Sequence, residues 1–407
     1  MKLIFSSYHN YLDRSSGAAL TIRSALIGLA KRGWDVRVLC GSYFDSLNAN
    51  LGALYREFKR LGITPTISKC RSVINGRPRE FKLARFNDSG VSGSILIDDE
   101  AFSTRRFRND LSRDAGLLFL KTLDVAARKD EYDVYLTYGG YWAAKEAANI
   151  MKERAKKNVF YLFNLAYNDR ALLQQFDLVI TPSPFAREYY MKTLSIDSTP
   201  ISPFIDKASC LARERRPQYL TLINPSPEKG GRFALGVFWD LQKKRDDIPI
   251  LVAEGRGDFK ALVAATPKAR KLKNVHLLKG SVDARAIYAK TRLLLVPSLC
   301  GETFGRVPVE AAFNGVPALV SNRGALPDVV GDPEYVLPIP ERFTPKTCEL
   351  PTPLETQPWV DAILKHWDGS LSLHDSEHCS KLAQRFDSEK ILTDLERALK
   401  DEPQGKE

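Results

Sequence analysis

The sequence predicts an α/β protein built as two doubly wound domains. Three observations carry that expectation. The chain has 407 residues and 44% hydrophobic composition, enough for sizeable cores and better suited to two domains than to one. Short β-forming runs alternate with runs of helical period, the pattern of a parallel sheet covered on both faces. The series restarts after a proline-punctuated stretch, Thr199-Pro200-Ile201-Ser202-Pro203, which reads as a linker.

Residues 2–7, KLIFSS, read as the first strand. Ser15-Ser16-Gly17 lead into a helix over Ala18–Lys31, Gly33 stops it, and Val36–Cys40 form the next strand. Leu54–Leu61 reads as a helix. Over residues 71–100 the turn pairs Asn75-Gly76 and Ser89-Gly90 stand among β-formers and predict hairpins that interrupt the α/β order. Helix Ala115–Ala127, strand Val134–Thr137, helix Trp142–Arg154, strands Val159–Phe163 and Leu178–Thr181, and helix Phe185–Thr193 follow. The second series has strands at Tyr219–Ile223, Ile250–Val252, Asn274–Leu278, Leu293–Val296 and Ala318–Ser321, with helices over Gly231–Lys243 and Phe304–Asn314. Residues 333–358, rich in proline and glutamate, show no period and read as a surface excursion; Cys379–Leu399 reads as one closing amphipathic helix.

Composition narrows the function classes. The longest apolar runs, such as LLLVPSL, are strand-length, so no membrane span is expected. The N-terminus lacks the pattern of a secretion signal. Six scattered cysteines form no Cys-x-x-Cys pair or Cys/His cluster, and they read as buried thiols rather than a zinc site or a disulfide framework. The expectation is therefore a cytoplasmic protein. The net charge of +11, with basic clusters at Arg77–Arg85 and Arg105–Arg108, suits an anionic acceptor or a peripheral position on an anionic membrane face. No nucleic-acid module is recognisable, so nucleic acid is not expected as a partner. Asp98-Asp99-Glu100 is the nearest acidic run to a metal motif and reads as surface; no Asp-x-Asp occurs.

The chemistry concentrates in Ser298–Ala312, SLCGETFGRVPVEAA. In an open α/β sheet ligands bind beyond the carboxyl ends of the strands. Glu302 lies in the loop after a strand, and Thr303, Phe304 and Gly305 stand at the expected helix start, where backbone N–H groups can meet a substrate's oxygens. Glu310 lies one to two turns into that helix. A carboxylate accepts hydrogen bonds from paired hydroxyls, so a ribose or a hexose is a natural target. Asn224, Glu228, Lys229 and Gly230 form a second such loop in LINPSPEKGG, and a lysine beside a helix start suits a diphosphate. Glu254-Gly255-Arg256-Gly257, Lys279-Gly280-Ser281-Val282 and Asn322–Asp328 point to the same rim; Gly280 and Val282 could present backbone groups to a base edge.

PEKGG, HLLKGSV and VPSLCGETFGRVPVEAAFNGVPALVSNRGALPDVV together resemble the retaining glycosyltransferase family 4, which has the GT-B fold. The resemblance is strong in the second domain and weaker in the first, where it rests on SSGAALTIRSALIGLAKRGWDVRVL. It implies GT-B architecture: two Rossmann-like domains facing across a cleft, with residues 1–202 as the acceptor-side domain, 203–378 as the nucleotide-sugar domain, and 379–407 as a closing helix that crosses back, with a polar tail. It implies a hexosyl- or pentosyltransferase of that family's type. Such an enzyme moves a sugar from a nucleotide-sugar donor to a hydroxyl of a glycan, lipid-linked or small-molecule acceptor, with retention and without a metal or other cofactor. By the same resemblance Glu302 holds the transferred sugar, Glu310 the ribose and Lys229 the departing diphosphate. Thr303, Phe304 and Gly305 touch sugar and diphosphate, and Gly17 lies in a loop that closes over the phosphate.

Departures stand beside it. Asn224 occupies the place where the family usually has an arginine, leaving Arg256, Arg306 or Arg323 to compensate. Asn164 follows VFYLF where a histidine is common, which leaves His9 as the first half's only histidine and its one histidine candidate for catalysis at the acceptor. The first loop's paired glycines are reduced to Ser16-Gly17, and Asp328 replaces a glutamate. Competing readings are a nucleotide-sugar 2-epimerase or hydrolase on the same fold, and a non-catalytic nucleotide-sugar-binding protein. A nicotinamide-dependent dehydrogenase is disfavoured because Gly255-Arg256-Gly257-Asp258-Phe259-Lys260 lacks the third glycine of its fingerprint.

Overall fold

The computed structural model describes residues 1–45, 51–98, 111–279, 283–368 and 373–401. The chain divides into two compact units, Met1–Phe204 with Glu389–Glu407, and Ile205–Ser388.

The first unit begins β1 (Lys2–His9), α1 (Gly17–Lys31), β2 (Asp35–Tyr43) and α2 (Leu51–Leu61). It continues through β3 (Thr66–Ile74), β4 (Arg77–Asp88), β5 (Val91–Ile97), α3 (Arg113–Ala127), β6 (Tyr132–Thr137), α4 (Trp142–Lys152) and β7 (Ala155–Tyr161). It closes with α5 (Arg170–Leu173), β8 (Leu178–Thr181), α6 (Pro184–Leu194) and β9 (Thr199–Pro200). These strands form a nine-stranded sheet in the order β3-β4-β5-β2-β1-β6-β7-β8-β9. The six residues between Lys2 and His9 are all buried, as a strand covered on both faces requires. The two turn pairs do make hairpins: β4 runs antiparallel to β3 and β5, and Asn75, Gly76, Ser89 and Gly90 all take positive φ. Ile4, Leu39, Leu118, Phe119, Leu123 and Phe160 belong to the core packed on this sheet.

The second unit runs α7 (Lys207–Cys210), β10 (Tyr219–Ile223), α8 (Gly231–Lys244), β11 (Ile250–Ala253), α9 (Phe259–Ala264), β12 (Val275–Leu278), α10 (Ala284–Tyr288) and β13 (Thr291–Val296). Then come α11 (Arg306–Phe313), β14 (Ala318–Ser321), α12 (Leu326–Val330), β15 (Val336–Leu337), α13 (Pro353–Asp368) and α14 (Leu373–Arg385). Its six strands pair in parallel in the order β12-β11-β10-β13-β14-β15. Successive strands add outward from β10 on one side, then the chain crosses back and adds β13, β14 and β15 on the other. The switch point therefore lies between β10 and β13.

The last helix, α15 (Ser388–Lys400), returns the chain to the first unit. Arg32 grips Glu396 at 2.9 Å and Glu389 at 2.8 Å, and Lys157 Nζ donates to the carbonyls of Ala398 (2.7 Å) and Asp401 (2.6 Å). Leu392 fills the space beside Gly28 on α1.

Three expectations change. Thr199 and Pro200 pair with Ile180 and Thr181, so part of the expected linker is the edge strand β9, a position that tolerates proline. Residues 333–358 are a surface excursion only in their middle, where 341–350 are irregular and mostly exposed: Tyr335, Leu337, Ile339 and Phe343 are buried, and α13 starts at Pro353 and carries Pro358 inside it. The expected single closing helix is two, α14 and α15. The break falls where Phe386 packs edge-on against Phe304 (5.1 Å) and Ser388 Oγ donates to the carbonyl of Ile205 (2.6 Å).

Candidate functional site

The loops after β10 and β13 leave adjacent strands at the switch point. That places Lys229 and Glu302 side by side, and Lys229 Nζ donates directly to Glu302 Oε1. Ser298 Oγ donates to the same oxygen at 2.7 Å. The Glu302 side chain is 13% exposed and that of Lys229 34%, so the pair is partly screened but reachable from solvent. Burial pulls the Lys229 pKa down. The Glu302 charge, the nearby Cys300 and the hydrogen bond to Glu302 together outweigh that and hold the ammonium above its ordinary value.

Hydrogen bonds fix the Glu302 loop to the Lys229 loop on one side and to the end of β14 and the loop after it on the other. The Glu228 carbonyl accepts from Leu299 N (2.9 Å), Glu302 O accepts from Ala325 N (2.8 Å), and Ser321 Oγ donates to Ser298 O (2.7 Å). Gly230, at φ 72°, caps α8; a Cβ there would lie 1.8 Å from Pro297 O. Gly324, at φ 60°, lies so close that a Cβ would meet Glu302 N and O at 2.4 Å. These positions admit only glycine because the chain from Pro297 to Glu302 is packed backbone to backbone against the Lys229 loop at Gly230 and against the loop after β14 at Gly324.

The expected helix start shifts. α11 begins at Arg306, and Gly305 at φ 92° is its N-cap. Thr303, Phe304 and Gly305 thus form the loop that enters the helix, with the Phe304 side chain buried and turned to Phe386. Glu310 Oε1 accepts from Arg306 Nε (3.2 Å) and lies 3.2 Å from Arg306 Nη2; Glu310 Oε2 accepts from Tyr288 OH (3.1 Å). Burial, reinforced by the Glu310 charge, pushes the Tyr288 phenol well above its usual value, so it stays a proton donor.

Of the other expected positions, Asn224 organises a loop. It sits at φ 56°, and its Oδ1 accepts from Arg256 N (3.1 Å) and Gly257 N (2.9 Å). Arg323 Nη2 donates to the carbonyls of Ile339 (3.2 Å) and Pro340 (2.9 Å), and Arg306 is engaged with Glu310. Arg256 is exposed, and its charge acts on Lys229. Gly280 and Val282 lie outside the described residues, as do Asp99, Glu100 and Arg105–Arg108.

The first unit has its own switch point, between β1 and β6, and His9 ends β1 there. Its Nε2 meets Tyr141 OH at 2.8 Å and Asp45 Oδ1 at 3.2 Å, and its ring stacks on Tyr43 and Tyr138. The buried Nδ1 has no hydrogen-bond partner. The next loop is held by buried Asp13, which accepts from Asp45 N (2.7 Å) and Ser15 N (2.9 Å) and leads to Gly17 at the first position of α1. Burial raises the Asp13 pKa, and these hydrogen bonds work against that rise.

Sequence reasoning missed Ser298, Tyr288 and Asn314. Ser298 stands four residues before Glu302 in a loop already singled out, and that spacing was a usable signal. Tyr288 lies on a five-residue helix with no pattern of its own. Cys300 is half-buried near the pair, and burial, followed by the Glu302 charge, pushes its thiol up to about 11. Among the described residues no group of three or more His, Cys, Asp or Glu side chains is arranged to hold a metal ion.

The whole chain superposes on solved glycosyltransferase structures. Sucrose-phosphate synthase from Thermosynechococcus elongatus matches with TM-score 0.67 and 15% identity, over 98% of each chain. The catalytic domain of starch synthase IV from Arabidopsis thaliana, bound to ADP and acarbose, matches with TM-score 0.66 and 13% identity, over 98% of each chain. Anabaena HepE in complex with UDP matches with TM-score 0.64 and 15% identity, over 98% of this chain and 99% of that one. The fold is GT-B. Residues 205–342 match the family model for glycosyl transferases group 1, a segment wholly within the second unit. No curated protein matches the chain by sequence. The group 1 match corrects the expected membership of family 4, and with it the expectation of a hexosyl- or pentosyltransferase of family 4 type. The stronger motifs behind that expectation, those of the second domain, lie in the matched segment. They describe loops after the parallel strands of a Rossmann-like sheet, a geometry too general to choose between families. The described residues of this GT-B chain contain no helix long and apolar enough to cross a membrane.

Proposed function

We propose that the protein transfers a sugar from a nucleotide-sugar donor to an acceptor hydroxyl, without a metal and with retention at the anomeric carbon. The observation that carries this reading is the Lys229–Glu302 contact at the switch point of the second unit. The hard step is heterolysis between the anomeric carbon and phosphate, and charge grows on the departing diphosphate. A fixed ammonium that meets this charge as it develops lowers the barrier most. Lys229 supplies it, and exposed Arg256 adds positive potential nearby. Glu302 holds sugar hydroxyls, Glu310 the ribose, and the entry to α11 the phosphate oxygens. Glu302 accepts from two donors already, which suits a binding group better than a nucleophile. The acceptor then enters on the face the phosphate leaves, and the departing oxygen takes its proton.

His9, with Asp45 and Tyr141 around it, faces the acceptor in this reading. A membrane-proximal or anionic acceptor is supported by the β3–β4 hairpin, where Lys69 and Lys82 stand opposite each other and Ile67 and Val73 are exposed. The test is a donor screen by thermal stabilisation followed by a transfer assay. Lys229→Ala and Glu302→Ala should each lower turnover by about 100- to 1,000-fold, the usual loss of a transition-state donor or holder, with the fold intact. Glu310→Ala should mainly weaken donor binding. Wild-type turnover in either of the first two removes that residue from the mechanism, and an inverted anomer in the product removes retention.

A further inference from the structure

Glu310 is not a bare carboxylate. A carboxylate offers about four lone-pair directions, two on each oxygen. Arg306 Nε donates to Oε1 and Tyr288 OH to Oε2, with Arg306 Nη2 lying 3.2 Å from Oε1 without a hydrogen bond to it, so the bonds formed leave each oxygen one further lone-pair direction. Both partners come from rigid places. Arg306 lies one turn before Glu310 on the same helix, and Tyr288 is fully buried at the end of α10. The side chains of Arg306 and Glu310 are only 15% and 12% exposed, so the ion pair is sheltered rather than a surface pair free to exchange.

A ligand with two adjacent hydroxyls matches the remaining capacity, one donor per oxygen. A ligand with a single hydroxyl uses half of it. We propose that Arg306 and Tyr288 are positioning residues that fix the Glu310 carboxylate for a vicinal diol, and so make the site select ribonucleotides over 2′-deoxyribonucleotides. This rests on the proposed nucleotide-sugar function and adds to it a source of sugar discrimination in the nucleotide half.

The experiment measures dissociation constants of the full-length protein for UDP, ADP and GDP and their 2′-deoxy counterparts. The wild type should prefer the ribo form of the nucleotide it binds by about tenfold or more, the worth of a hydrogen bond to a charged acceptor. Tyr288→Phe, which removes only the hydroxyl, and Arg306→Leu should each shrink that ratio at least about threefold, and Glu310→Gln should bring it close to one. A purely structural role would weaken both forms equally and leave the ratio unchanged. A ratio kept in both the Tyr288 and Arg306 variants overturns the inference while leaving the nucleotide-sugar reading intact. Binding of none of the three ribonucleotides overturns both.

Discussion

Asn314 closes the helix that carries Glu310, and its removal has a cost that can be worked out in advance. The residue is 5% exposed. Its Nδ2 donates to the carbonyls of Glu310 (2.8 Å) and Cys210 (3.1 Å), and its Oδ1 accepts from Ala212 N (2.8 Å). The first bond caps an orphan carbonyl of α11, and the others tie the helix to the segment after α7. Asn314→Ala leaves one N–H and two carbonyls without these partners. Each unmade buried bond costs about 1–3 kcal/mol, and partial relaxation brings the expected total to about 2–5 kcal/mol. Asn314→Asp keeps the volume and the acceptor for Ala212. It loses both donated bonds and turns an anionic oxygen toward two carbonyls, so it should be no more stable than the alanine variant. We predict a fall in the urea midpoint of the second unit by about 1–2 M, with the transition of the first unit unmoved. A midpoint within about 0.3 M of wild type for the alanine variant, or an aspartate variant clearly the more stable of the two, would refute the argument.

Gly230→Ala should cost well over the about 1–2 kcal/mol of a left-handed alanine, because its Cβ would meet Pro297 O; Gly62→Ala, at φ 66° with open space around it, should cost only that penalty, and thermal unfolding of both variants separates strain from clash. The Glu396 carboxyl is held down to about 2 by Lys400, Trp34 and Arg32, against an ordinary 4.5. A depressed folded pKa gives stability that is present above the ordinary value and lost as pH falls toward the folded one, so the deficit of Glu396→Gln in chemical denaturation should close over that acid range. His378 has the same direction of shift from a different cause: burial, opposed by Asp332 and aided by His374, pulls its imidazole below the ordinary 6.5. The unfolded chain then takes the proton first, stability falls as pH drops below that value, and His378→Gln should flatten the decline in a stability-against-pH series.

The strands were legible because buried parallel strands are continuous apolar runs, as at Leu293–Val296, and because Asn75-Gly76 and Ser89-Gly90 state their turns locally. The loops bearing Lys229 and Glu302 were legible for a similar reason, since each stands between a strand and a helix. Their direct contact was not, because it depends on β10 and β13 being neighbours, a fact of sheet order rather than of local sequence. Short helices such as Phe259–Ala264 and Leu326–Val330 span too few residues to show a period. Pro358 concealed α13, whose burial of Thr356, Trp359, Val360 and Ile363 outweighs the proline's helix-breaking tendency. The boundary at Phe386–Asp387 was passed over although Asp387-Ser388-Glu389 is a helix-start sequence. Asn224 carries a structural role the local sequence does not announce: its oxygen serves the backbone of the next loop.

The ammonium of Lys229 is held by Glu302. A sugar arriving alone would have to compete for a carboxylate already occupied. In the proposed reaction a diphosphate arriving with its sugar draws the lysine toward itself and, by the same movement, vacates the oxygen that the sugar hydroxyls need. On that reading the two halves of the pair become available together, to a ligand that carries both an anion and a polyol.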